Sequence, residues 1–123
     1  MKFITDRKRA TGLGSGSEGT AHHWKMMASS LSLVILVPLF VFIFGAGLGR
    51  GFDEVQSYFA NPFVALALGI GLTMGLLHIK MEIDEAVEDY VHGVAGKLLL
   101  MAVAAGTWVL IAAGVLALIK LAL

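Results

Sequence analysis

The sequence predicts an all-α membrane protein with three transmembrane helices, and three observations lead there. Of its 123 residues, 58% are hydrophobic and 15% are charged, which leaves too little polar surface to cover a soluble globule. Three apolar runs, "MMASSLSLVILVPLFVFIFGAGLG" (26–49), "NPFVALALGIGLTMGLLHIKM" (61–81) and "KLLLMAVAAGTWVLIAAGVLALIKLAL" (97–123), each meet the length of roughly 20 residues that a helix needs to cross hydrocarbon. None shows the period-2 alternation of a barrel strand, and all exceed the ~10 residues such a strand uses. The expected spans are about 26–49, 61–81 and 97–121, in a membrane domain covering 26–123 behind a polar arm at 1–25.

Charge sets the orientation. Lys2, Arg7, Lys8, Arg9 and Lys25 precede the first span, whereas the first loop, "RGFDEVQSYFANP", offers only Arg50. By the positive-inside rule the N-terminus is expected in the cytoplasm. Three crossings then put the 50–61 loop outside, the 80–96 loop inside and the C-terminus in the periplasm. Within the arm, "TGLGSGSEGT" (11–20) has the composition of a flexible linker. Gly14, Gly16 and Gly19 spell G-x-G-x-x-G, but no strand precedes them and no βαβ unit surrounds them, so the dinucleotide fingerprint is set aside. The arm is too polar, and the run after it too long, for a signal peptide, so the first span is expected to be retained.

Along the spans, Pro38 removes a backbone donor inside the first, a loss that membrane helices tolerate when neighbours repair it. Asn61-Pro62 opens the second, with proline where no intrahelical donor is needed. "IDEAVEDYV" reads either as an extension of that helix or as a short separate one, with an acidic face that is solvated or turned to a partner. The chain has no cysteine, which excludes disulfides and thiolate-bound metal.

His78 interrupts the second span, and an ionisable side chain in a bilayer is a functional-site hypothesis by default. Gly71, Gly75 and His78 fall on one helical face, and the imidazole leans back toward Gly75 and Met74. Three readings stay open on spacing alone. Gly71-x-x-x-Gly75 is a close-packing helix interface with a hydrogen-bonded histidine beside it; or a flat macrocycle lies over Gly75 with its iron on the imidazole; or His78 relays protons. A bis-histidine haem needs a second axial ligand from another subunit, because His22, His23 and His92 lie at the aqueous ends of their segments. Asp89-Tyr90 divides similarly: a helix cap and an aromatic-belt residue, or a phenol that donates to a quinone carbonyl while Asp89 holds it or passes protons.

Taken together, "HIKMEIDEAVEDYVHG" resembles the signature of the small hydrophobic membrane anchor of succinate dehydrogenase, respiratory complex II. In that family a haem-ligating histidine near the inner end of the second span is followed, at the interval seen here, by an Asp-Tyr pair. The likeness extends to chain length, three spans, an inside N-terminus and the approach "GSGSEGTAHHW" to the first helix. It implies a membrane anchor subunit of succinate:ubiquinone oxidoreductase, catalytic only within a four-subunit enzyme. A flavoprotein with FAD oxidises succinate, an iron–sulfur subunit relays electrons, and two anchors share b-type haem and the ubiquinone site. On this resemblance His78 is an axial haem iron ligand, Tyr90 donates to ubiquinone, Asp89 supports Tyr90, and the second hydrophobic anchor subunit supplies the other ligand. Paired histidines leave no open coordination site, which suits electron transfer.

One departure is visible. Relatives carry an arginine shortly after the histidine that starts the first helix, placed for haem propionates, but here the stretch is "HHWKMMASS". Met27 and Ala28 cannot replace a guanidinium; Lys25, His22 and His23 are the alternatives, and Trp24 is an interfacial anchor. Two rivals are the anchor of a quinol:fumarate reductase and a non-catalytic accessory protein in which His78 and Asp89 form a proton relay. No Arg/Ser-rich, acid-poor presequence is evident, so a multi-pass protein of the bacterial inner membrane is expected.

Overall fold

The computed structural model describes residues 4–12 and 19–123. Its elements are α1 (Asp6–Thr11), α2 (Gly19–Gly47), α3 (Phe52–Phe59), α4 (Pro62–Tyr90) and α5 (Gly93–Ala122). Among the described residues, α2, α4 and α5 are long and apolar enough to cross a membrane. At 29 or 30 residues each is roughly 44 Å long, against a hydrocarbon core of ~30 Å. Their polar ends therefore project beyond the apolar layer.

Those ends are where the structure differs from the expected boundaries. "IDEAVEDYV" continues α4 without a break as far as Tyr90, and Val91 and His92 alone separate α4 from α5. The region expected as the 80–96 loop is thus mostly helix, as the Glu and Ala residues and the lack of Gly or Pro between 80 and 92 favour. The helix that carries the first span likewise begins at Gly19, and the 50–61 loop contains α3. Most of the Gly/Ser linker, with Gly14 and Gly16, lies outside the described residues. Pro38 stands within α2, so the Val34 carbonyl one turn earlier has no intrahelical donor.

Local chemistry starts and stops the elements. Asn61 caps α4, accepting from the Phe63 N–H at 2.9 Å with Pro62 at the first helical position. At the end of α2, the Arg50 Nε–H donates to the Ala46 carbonyl at 2.7 Å, while its guanidinium lies 4.7 Å from the centre of the Tyr58 ring. The Tyr58 hydroxyl donates to the Ile43 carbonyl at 2.8 Å, so α3 is clamped to the end of α2. Phe59 beside it is buried against Gly47, where a Cβ would stand 2.6 Å from the ring.

Helix α4 is the centre of the arrangement. It packs along both α2 and α5, whose backbones do not approach each other, and α3 closes one end against all three. The buried apolar side chains among the described residues are Phe59, Leu68, Val87 and Ile111, whereas Leu31, Ile35, Phe42 and Phe63 are more than two-thirds exposed. Helices this apolar on their outward faces are solvated by lipid or covered by other membrane subunits. Three helices in a row, with the middle one presenting His78, leave the two sides of α4 accessible between its neighbours.

Candidate functional site

The site forms where the first turns of α2 meet the C-terminal half of α4. These helices run antiparallel, and two polar contacts set their register: His22 Nε2 lies 3.3 Å from Glu85 Oε1, and Ser29 Oγ lies 2.9 Å from His78 Nδ1. The partners are seven residues apart on both helices. Seven residues is close to two helical turns, so both contacts fall on one seam.

Hydrogen-bond counting places a proton on one nitrogen of the imidazole. Ser29 Oγ also lies 2.8 Å from the Met26 carbonyl. A carbonyl has no proton to give, so that bond requires the one proton of the hydroxyl. The Ser29–His78 contact is then a hydrogen bond only if Nδ1–H donates to Oγ. The neutral ring keeps its lone pair on Nε2, the nitrogen that faces away from the serine. Ser29 is buried and the His78 side chain is 17% exposed, so bulk water does not compete freely for this pair. Beyond Nε2 stands the carboxylate of Glu82, with Oε1 at 3.5 Å on a side chain 57% exposed. That separation is long for a hydrogen bond, and the carboxylate is free to turn to water.

The two glycines before His78 do different things. A Cβ on Gly71 would stand 2.8 Å from Phe40 Cδ2, so this glycine is a close-packing point for α2 on α4. A Cβ on Gly75 would meet nothing within 4 Å. The interface reading of Gly71-x-x-x-Gly75 therefore holds at Gly71 alone within this chain, and beside His78 there is open space. One imidazole with an available lone pair next to a bare backbone could offer a single donor to the metal of a flat ring. Among the described residues no group of three or more His, Asp or Glu side chains converges to hold a metal ion by itself.

Asp89 and Tyr90 stand at the last turn of α4, and the structure does not join them to each other or to His78. Tyr90 is 85% exposed, Asp89 is exposed, and neither makes a side-chain hydrogen bond among the described residues. Adjacent helical positions diverge by about 100°, and twelve residues separate Tyr90 from His78 by roughly 18 Å along the axis. His23, Trp24, Lys25, Met27 and Ala28 are all exposed on α2, and His92 is the exposed N-cap of α5 without a side-chain cap bond.

Ser29, Glu82 and Glu85 were not singled out by the sequence. Three serines occur at 29, 30 and 32 in the first span, and all bond carbonyls one turn back, as hydroxyls in apolar helices do. The signal for Ser29 was its seven-residue offset from His22, matched by the offset from His78 to Glu85. Lys80 and Asp84 are likewise not singled out by the sequence; they form a half-buried ion pair on α4, and Asp84 Oδ1 is buried without a hydrogen-bond partner among the described residues.

Comparison with known proteins gives two findings. The model of the family described as "Succinate dehydrogenase/Fumarate reductase transmembrane subunit" matches residues 1–118. The "Succinate dehydrogenase hydrophobic membrane anchor subunit" of Paracoccus denitrificans is 36% identical over 123 residues, covering 100% of this chain and 95% of that protein. No solved structure matches.

Proposed function

Because the chain belongs to the succinate dehydrogenase/fumarate reductase transmembrane subunit family, we propose that it is the anchor through which a succinate:ubiquinone oxidoreductase passes electrons to quinone in a bacterial inner membrane. As a family member it is a membrane anchor within an oxidoreductase complex. The finer reading adds a cytoplasmic N-terminus, a second anchor, an iron–sulfur subunit and an FAD-bearing flavoprotein as partners, and b-type haem shared between the anchors. The observation that carries it is His78, with its Nδ1–H bonded to Ser29, its Nε2 lone pair available and open space beside Gly75.

In this reading His78 would hold the haem iron through Nε2, and bound haem would supply a one-electron redox centre. The chain's own residues do the rest. Ser29 orients the imidazole, and Gly75 admits a flat ring that a side chain would obstruct. Tyr90, exposed at the end of α4, offers its O–H to a ubiquinone carbonyl, whose oxygen gains negative charge during reduction. Asp89, next to it in sequence, lies where it can take protons from water. The five carboxylates from Glu82 to Asp89 sit toward the C-terminal end of α4, where the helix dipole disfavours them. A basic face on a peripheral subunit would offset that repulsion.

The test is purification of the intact complex with this chain tagged, with assay of succinate:ubiquinone activity and haem content. Co-purification of flavin, iron and haem with the tagged chain is the expected result; a chain that purifies alone, without haem, contradicts the reading. A second reading has one observation behind it: with Glu82 turned toward Nε2 at 3.5 Å, a protonated His78 would bridge Ser29 and Glu82 as a proton relay. That arrangement predicts no haem spectrum. A fumarate reductase would instead oxidise low-potential quinols faster than it reduces ubiquinone.

A further inference from the structure

We infer that Ser29 is a positioning residue for the axial nitrogen of His78, selecting the tautomer and ring orientation that leave Nε2 available and raising the electron donation of that nitrogen. The inference rests on the haem reading above and adds to it the contribution of α2, on which no axial ligand stands.

The geometry gives three separate reasons. First, the bond to Met26 commits the hydroxyl proton, so Oγ faces His78 only as an acceptor. A serine whose proton was free could accept or donate, and either tautomer would fit. This one accepts only Nδ1–H. Second, Ser29 is 7% exposed, whereas Ser30, which also bonds the Met26 carbonyl, is exposed. The position that touches the imidazole is the one shielded from water. Third, the seam is held at a second point by His22 and Glu85, two turns along each helix, so sliding of α2 against α4 would break both contacts together.

The chemical consequence follows from sharing a proton. A histidine that donates its second N–H becomes a more basic ligand through the other nitrogen, and loss of such a partner typically weakens metal affinity by about 10–100-fold. A more basic axial ligand favours the oxidised iron. Removing the Ser29 oxygen should therefore raise the midpoint potential of the haem and loosen its retention, without removing the ligand itself.

The experiment uses the intact, detergent-extracted complex with wild-type, Ser29→Ala, Ser29→Thr, Ser29→Val and His78→Ala chains. Haem-to-flavin ratio, reduced-minus-oxidised spectrum and haem midpoint potential are measured, with succinate oxidation by an artificial acceptor as the check on assembly. Ser29→Ala is expected to assemble, to retain haem about tenfold less tightly, and to show a raised potential. Ser29→Thr keeps an oxygen that can bond the preceding turn and is expected to stay near wild type. If Ser29→Ala does not assemble, Thr and Val, alike in shape and differing in the hydroxyl, carry the comparison. Equal potentials and equal haem retention with and without the hydroxyl would overturn the inference while leaving haem ligation standing. An unchanged spectrum in His78→Ala would instead overturn the ligation reading, and this inference with it.

Discussion

The Phe40 ring of α2 lies over Gly71 of α4 so closely that a Cβ there would stand 2.8 Å from Cδ2 and 3.4 Å from the phenylalanine's own Cβ. One turn further on, Gly75 has nothing within 4 Å. Two glycines at the spacing of a helix-packing motif thus have opposite surroundings, one filled by the neighbouring helix and one left open beside His78. The contrast sets a packing contact and open space one helical turn apart.

Gly71→Ala is expected to destabilise the α2–α4 contact by about 1–3 kcal/mol, because the root of the Phe40 side chain, and not just its far end, must move. Gly75→Ala is expected to leave the thermal unfolding of the haem-stripped complex unchanged but to lower the haem content of the complex as purified. Melting temperature and haem-to-flavin ratio, measured on both variants, check the pair. A stable, fully haem-loaded Gly75→Ala complex would mean that the open space serves no bound ring.

At the α4–α5 turn, the Val91 carbonyl lies against Gly96, and Gly93 has a φ of 74°. A Cβ on Gly96 would collide with backbone, which cannot rotate away as a side chain can. Gly96→Ala is expected to lower the yield of assembled complex sharply. Gly106→Ala, on the same helix with nothing within 4 Å, is expected to be neutral. Membrane-fraction immunoblots of the two variants give the comparison.

At the other end of the bundle, Tyr58→Phe removes the hydroxyl that donates to the Ile43 carbonyl and keeps the ring under Arg50. The loss should be about 1 kcal/mol of stability. Succinate:ubiquinone turnover at low temperature should not change, because the clamp lies at the end of α2 far from His78. A thermal melt paired with a turnover assay tests both halves of this expectation.

Tyr90→Phe tests the quinone reading. The phenol is exposed and makes no hydrogen bond among the described residues, so its removal should leave folding intact. A donor to a carbonyl that gains charge during reduction matters most in the transition state, so turnover with ubiquinone should fall along with affinity. Succinate oxidation by an acceptor that draws electrons before the quinone should remain near wild type. Equal losses in both assays would make Tyr90 structural.

How much of this was legible in the sequence depended on whether a residue acts through its own segment or across segments. The three spans follow from apolar length, and the Asn61-Pro62 start of α4 from capping chemistry, both of which are local. The end of α4 is ambiguous in the sequence because its acidic stretch has helix-forming composition but the wrong charge sign for a helix C-terminus. His78 was visible as a polar residue in an apolar run. Ser29 was not, because a serine that bonds its own preceding turn is ordinary in such a helix, and only the register of α2 on α4 makes one of the three serines different. The unequal roles of Gly71 and Gly75 were hidden for the same reason: spacing gives the face but not the neighbour.

Ligation by His78 is the central claim, and the reduced-minus-oxidised absorption spectrum of the intact complex carrying His78→Ala, beside His92→Ala, tests it most directly. His92 is the exposed N-cap of α5, so its replacement should leave the b-type haem bands unchanged. Loss or a marked shift of those bands in His78→Ala, with flavin-dependent succinate oxidation preserved, is the predicted result. Wild-type bands in His78→Ala would contradict the account.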